Sequence, residues 1–402
     1  MTHKYSFSIT SISKALIFVA IFSTAANTLF RALSSPLATL FGYMAIIASL
    51  LYPVALFFCR RTIKVQYMLL LVVFSIAVLL SVAFSTDQAI GKSGMVLIQP
   101  LATFFAFYWA LSFEKEKESP FNIRTIFLVN YILCAIYTVI AFSPSDFKYG
   151  MANEWGEPIF TLGLGNPNSV AIYVFFSFVV LCIQLHHVKN FISKLFTYGL
   201  IAVMFYLMIL LQSRTILFCA LLVFLYAVFF YRIKIRGWMV LAAMIIPFIM
   251  IAVQIVLVDY GTEIEILNKP LVSGRDKMYV SLLELFRSSH TTFAFGRYCE
   301  FKLDNLHNSP LTLLASFGFV GLIIYFIFWL FYLNDVRKQS FDPISRTACI
   351  ALLCCMIHSS SETAFTVGYV PFCVFVLVLS MIAKGDIAIK NSPKEDNTLW
   401  QL

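Results

Sequence analysis

Charge is what this sequence has least of. Asp, Glu, Lys and Arg make up only 12% of its 402 residues, about half the share found in a soluble protein. So little charge cannot cover a water-facing surface without leaving large apolar patches exposed. Polar stretches are scarce as well, which excludes a disordered chain, and 16 Gly are too few for a collagen repeat. Cysteines placed to pair with one another are also missing. Of the nine, Cys134, Cys182, Cys219, Cys349, Cys354, Cys355 and Cys373 fall inside apolar runs and Cys59 lies at a charged edge. Cys299 is left with no evident disulfide partner. The adjacent Cys354 and Cys355 lack metal-ligand spacing, so neither a structural disulfide nor a zinc site is expected.

What the sequence has instead is apolar length. Hydrophobic residues make up 60% of the chain, with 42 Phe among them. A helix crossing a bilayer needs about 20 mostly apolar residues. The sequence predicts about twelve such spans, at 15–30, 36–58, 65–84, 95–113, 124–142, 168–185, 195–212, 215–231, 237–258, 310–333, 347–365 and 369–383. The expected fold class is an all-α polytopic membrane protein, a single membrane domain over 1–402 without internal repeats. The net charge of +9 is gathered in short clusters such as Arg60-Arg61 and Arg232-Ile233-Lys234-Ile235-Arg236. Such clusters are topology signals, not the basic stripe of a nucleic-acid binder. With the N-terminus in the cytoplasm, the segments on that side hold 19 of the 29 Lys and Arg. Both termini are therefore expected to be cytoplasmic. The opposite face carries one large loop, 259–309, and residues 384–402 read as a flexible polar cytoplasmic tail.

The spans are nearly clean of ionisable groups, where a charge costs at least ~3 kcal/mol. Asn130, His358 and Glu362, the last near the outer end of its helix, are the main interruptions. His358 reads as a packing histidine, and chemistry is expected at the outer face. In the large loop, Tyr279, Leu282, Leu283 and Phe286 recur at helical spacing and predict an amphipathic helix over about 276–288. Ser273-Gly274-Arg275 precedes it. The loop ends in Leu306-His307-Asn308-Ser309-Pro310, with Ser309 as the expected N-cap and Pro310 as the first helical residue. His307 then lies beside a helix start, whose unpaired N–H groups favour an anion. Gly318 and Gly321 share one face of the following helix and invite a close neighbour. Arg214, in Leu211-Gln212-Ser213-Arg214-Thr215, opens a span with hardly any loop before it. It is either a snorkelling cation or a bidentate phosphate ligand. The outer loop 143–168 contains Glu154, Glu157 and Gly163-Leu164-Gly165-Asn166-Pro167-Asn168. This is not a Walker loop, because no Gly-Lys-Ser/Thr follows. Glu154 and Glu157 either contact sugar hydroxyls or are simply solvated.

Two arginines and a histidine on one face, without a carboxylate cluster, suit a lipid-anchored diphosphate presented at the outer leaflet. The arginines would neutralise a departing diphosphate, and the histidine would take a proton from an attacking hydroxyl.

In its motifs the chain resembles the bacterial O-antigen ligase and O-antigen polymerase superfamily. His307-Asn308, nine residues, Gly318, two residues and Gly321 are similar to the histidine–glycine–glycine pattern of the ligases. Ser213-Arg214, Ser273-Gly274-Arg275 and Asn166-Pro167-Asn168 also resemble family features. One departure is Phe218, four residues after Arg214, where ligases often carry Leu. The resemblance implies a metal-independent, cofactor-free glycosyltransferase of GT-C type that inverts the anomeric carbon. It would act at the periplasmic face of a bacterial inner membrane, moving polysaccharide from undecaprenyl diphosphate to a lipid A-core acceptor. By the same resemblance His307 is the base, and Arg214 and Arg275 hold the diphosphate. Asn308, Asn166, Asn168 and Glu154 are candidate contacts to donor or acceptor. A polymerase would use the same donor with a different acceptor. A transporter of lipid-linked saccharides would instead show ionisable groups along a central cavity and inverted halves, and the sequence shows neither.

Overall fold

The computed structural model describes residues 35–58, 63–85, 94–113, 121–144, 148–152, 158–163, 167–259, 265–266, 269–270, 276–303, 306–363, 370–385 and 387–388, with scattered helical positions between 12 and 30. About 82% of it is helical. The helices are α1 Leu37–Phe58, α2 Val65–Ala83, α3 Gly94–Ser112, α4 Ile123–Phe142, α5 Pro167–Gln184, α6 Phe191–Leu210 and α7 Arg214–Leu225. They continue with α8 Gly237–Asp259, α9 Asp276–Ser288, α10 His290–Phe295, α11 Tyr298–Phe301, α12 Ser309–Gln339, α13 Pro343–His358 and α14 Val370–Ala383. Five of them, α2, α4, α5, α6 and α12, are long and apolar enough to cross a membrane, and six shorter apolar helices accompany them. An all-α, membrane-embedded architecture follows.

Helix ends fall where the apolar runs meet charge or turn residues. Asp342 caps α13 by accepting from the Ile344 and Ser345 amides at 2.9 and 3.0 Å, while the Ser345 hydroxyl bonds back to the Asp342 carbonyl. Between α6 and α7 the chain reverses within three residues, and Gln212 takes the left-handed conformation (φ 52°) that so tight a turn demands. Beyond α7 the turns widen into a π-helix over Tyr226–Phe230.

Aromatic packing holds the bundle together. The rings of Phe74, Phe104 and Phe317 lie within 5.0–5.8 Å of one another. The buried Trp329 indole donates to the Tyr108 hydroxyl at 2.8 Å, so its polar atom is satisfied inside the core. Near the last turns of α12, Asp335 accepts from Lys64 Nζ and from the Tyr67 hydroxyl, each at 2.7 Å. A charge within an apolar helix is thus matched at once by a cation and a donor.

Two expectations need adjusting. Lys384, taken as the start of a loose tail, is buried, donates to the Leu111 carbonyl at 3.3 Å and sits 4.6 Å from the Tyr332 ring. Ile387–Ala388 then pairs in parallel with Phe121–Asn122, while residues 389–402 lie outside the described residues. The eleventh predicted span, 347–365, ends early. Helix α13 stops at His358, and Glu362 stands beyond it in a turn. With 16 residues, α13 is about 24 Å long.

Candidate functional site

His307 lies at the turn that enters α12, with φ at 55°. A left-handed non-glycine residue is held there against its intrinsic preference. Asn308 supplies the holding force. Its Oδ1 accepts from the Leu311 amide at 3.0 Å, and its Nδ2 donates to the Ser360 carbonyl at 3.2 Å and, more weakly, to the Pro247 carbonyl at 3.4 Å. The N-cap of α12 is therefore Asn308 and not Ser309, because an amide can cap the helix and reach a second element together. Ser309 in turn ties its backbone N–H to the Ser359 carbonyl at 2.8 Å.

These bonds join the start of α12 to the turn after α13, and that turn delivers Glu362, which the sequence marks as a polar interruption but does not tie to His307. The His358 carbonyl accepts from the Ser361 and Glu362 amides at 2.9 and 3.2 Å. The turn aims Glu362 at His307, and Glu362 Oε1 lies 3.1 Å from His307 Nδ1. The same oxygen accepts from Asn168 Nδ2 at 3.0 Å, at the start of α5. Exposure separates their roles, with 32% of the His307 side chain reachable against 7% for Glu362. The imidazole faces the outside and the carboxylate stands behind it. With Nδ1–H donating to Glu362, the ring's basic lone pair resides on Nε2.

Arg214 is the first residue of α7. Helix α5 runs away from Asn168 and α6 returns, so Arg214 lies at the same end of the bundle as His307, Glu362 and Asn168. Asn308 is fully buried and engaged as described, and supports the turn from behind. Arg275, Asn166 and Glu154 lie outside the described residues.

The large loop packs directly over this end. Helix α9 forms where its periodicity predicts. It buries Tyr279, Leu282 and Phe286 against Leu311 and Ala315 of α12, just behind His307. The chain then dips into the bundle. Ser81 donates to the Ser316 carbonyl and accepts from the Tyr298 amide at 2.8 Å, and Ser85 accepts from the Cys299 amide at 3.1 Å. Cys299, which lies in the loop expected on the outer face, is a free thiol and buried at this point.

The glycines do something other than expected. Gly318 has φ 67° and breaks the helical conformation inside α12. A Cβ there would stand 2.4 Å from the Ala294 carbonyl and the Phe295 amide nitrogen, and one on Gly296 would stand 2.5 Å from the Gly318 nitrogen. The close approach is therefore between a kinked backbone and the end of α10, not between two straight helices. Gly318 seats the loop that leads to His307.

No known protein-family model matches this chain, and no curated protein or solved structure is significantly similar to it. The likeness to the O-antigen ligases therefore rests on the motif residues themselves.

Proposed function

We propose that this protein is a glycosyltransferase of the O-antigen ligase kind, using a lipid-diphosphate-linked polysaccharide as donor and a lipid A-core sugar as acceptor. The reading includes about twelve spans, a GT-C-like arrangement, a bacterial inner-membrane location and a periplasmic site. The observation that carries it is the His307–Glu362–Asn168 cluster. A reachable imidazole oriented through Nδ1 by a buried carboxylate at 3.1 Å is suited to general-base work.

In the proposed reaction the acceptor hydroxyl oxygen attacks the anomeric carbon of the donor sugar, and its proton passes to Nε2 of His307. The bond from that carbon to the diphosphate oxygen breaks, and the diphosphate leaves with the electron pair. Arg214 neutralises the developing charge, with Arg275 as the second cation by the family resemblance. A single direct displacement inverts the anomeric centre. No step requires a metal or cofactor.

The test is a lipopolysaccharide gel from a strain lacking the gene, complemented with wild type or His307→Ala. The expected result is bare core in the deletion and the variant, with polymer accumulating on undecaprenyl diphosphate, and a restored ladder with wild type. Core capped by a single repeat unit would make the protein a polymerase. An unchanged ladder in the deletion would refute both.

A further inference from the structure

At the far end of the bundle from His307, α5 ends at Gln184 and α6 begins at Phe191. A cavity of about 480 Å³ opens there, lined by His186, Lys189, Lys194, Tyr198, Tyr231 and Pro343 among others. Its floor is built by the π-helix Tyr226–Phe230, which contributes Ala227 and Val228. Wide turns of this kind displace the backbone from its neighbours and recur at binding sites.

The charged side chains that line the cavity are all basic. Asp342, the nearby acid, has its carboxylate occupied in capping α13. Arg346 donates to the carbonyls of Phe341 and Arg232 at 2.6 and 3.3 Å, and Arg232 rests against the Tyr231 ring and donates to its hydroxyl at 3.2 Å. Lys189 and Lys194 have no ion-pair partner among the described residues. Burial holds the His186 imidazole below its ordinary value, and Lys194 adds to this against the opposing pull of Asp342. The cavity therefore keeps two ammonium groups for an incoming anion.

Beside the cavity, on the same opening turns of α6 that carry Lys194, the side chains of Phe191, Ile192, Leu195 and Phe196 form an apolar face outside the cavity lining and are 59–76% exposed, the kind of surface that acyl chains cover in a membrane protein. Lysines just beside such a face sit at headgroup depth.

We propose that this cavity binds the phosphate headgroup of an anionic glycerophospholipid, with Lys189 and Lys194 as its cationic contacts and the acyl chains lying along the Phe191–Phe196 face. The site is separate from the proposed transfer reaction and does not depend on it. Free phosphate shares the headgroup chemistry but has nothing to lay on the neighbouring apolar face of α6, so the lipid is the occupant.

Native mass spectrometry of the purified full-length protein in detergent tests this by titrating phosphatidylglycerol, phosphatidylcholine and inorganic phosphate. Each lysine near a membrane surface is worth about a fivefold change in affinity. The expected result is a clear preference for phosphatidylglycerol, weakened roughly 25-fold in Lys189→Gln/Lys194→Gln and largely kept in the double Arg variant. Equal phosphatidylglycerol affinity in wild type and the Gln variant overturns the proposal. So does a lysine-dependent binding of inorganic phosphate that phosphatidylglycerol fails to displace. Gel-filtration profiles of both variants establish that the bundle is intact.

Discussion

Glu362 and Asn168 are separated by 194 residues yet meet on one oxygen, and that meeting defines how His307 can react. A Gln at position 362 preserves shape but presents both a carbonyl and an amide, so Nδ1–H no longer has an obligatory acceptor and either tautomer is tolerated. We expect Glu362→Gln to lower transfer by about 10²-fold, and His307→Ala to lower it by as much or more. The check is transfer by purified protein in liposomes. A Gln variant with wild-type rate and pH profile would make the carboxylate a packing feature. Arg214→Lys should recover only part of the activity lost in Arg214→Ala, because an ammonium cannot grip two phosphate oxygens in one plane. Equal rates for Lys and wild type would reduce the arginine to a point charge. His307 and Arg214 stand out in the sequence by residue type and position, and Asn168 through the family resemblance, though not its bond to Glu362. Glu362 stands out only as a polar interruption of an apolar run, because its pairing with His307 is set by tertiary folding. The further signal is the run of Ser359, Ser360 and Ser361 between His358 and Glu362, which marks a helix end and not a continuing span.

Element boundaries were far more legible, since an apolar run flanked by charge leaves little choice of where a spanning helix starts. Predicted 65–84 is observed as Val65–Ala83, and predicted 168–185 as Pro167–Gln184. The pattern fails where the conformation departs from a helix without changing hydrophobicity. Gly318 and Gly321 look like a packing face because a left-handed φ leaves no trace in periodicity. This distinction is testable. Gly318→Ala adds both a strained φ and a methyl group 2.4 Å from backbone atoms of α10. It should displace the 290–303 segment, expose it to limited proteolysis and lower activity with His307 intact. Gly199, with nothing within 4 Å of an added Cβ, is the matched control. Gly199→Ala should be neutral or stabilise α6 by about 0.5–1 kcal/mol. Similar proteolysis of both variants would mean that the Gly318 contact is not what seats the loop.

Across the whole molecule, the two ends of the bundle differ in kind. One gathers the His307 cluster under α9 and the large loop, and the other gathers the basic turns at 186–194 and 232–236. The excess of Lys and Arg at the second end is the basis for the proposed orientation, with that end on the cytoplasmic side. Cysteines introduced at Ser193 and at Arg287 should therefore label from opposite sides of intact inner-membrane vesicles. Labelling of both from one side would break the proposed orientation. The short α13 carries a further consequence. At about 24 Å it is several ångströms shorter than a typical hydrocarbon slab of ~30 Å, so with its other end at the proposed cytoplasmic surface the turn it delivers would stand below the level of the neighbouring headgroups. The bilayer answers such hydrophobic mismatch by thinning around the short helix. For the proposed polyprenyl donor, such a depression would let the phosphates slide in sideways without lifting the tail out of the leaflet, and the proposal then makes the thickness of the surrounding membrane a determinant of how fast the donor arrives.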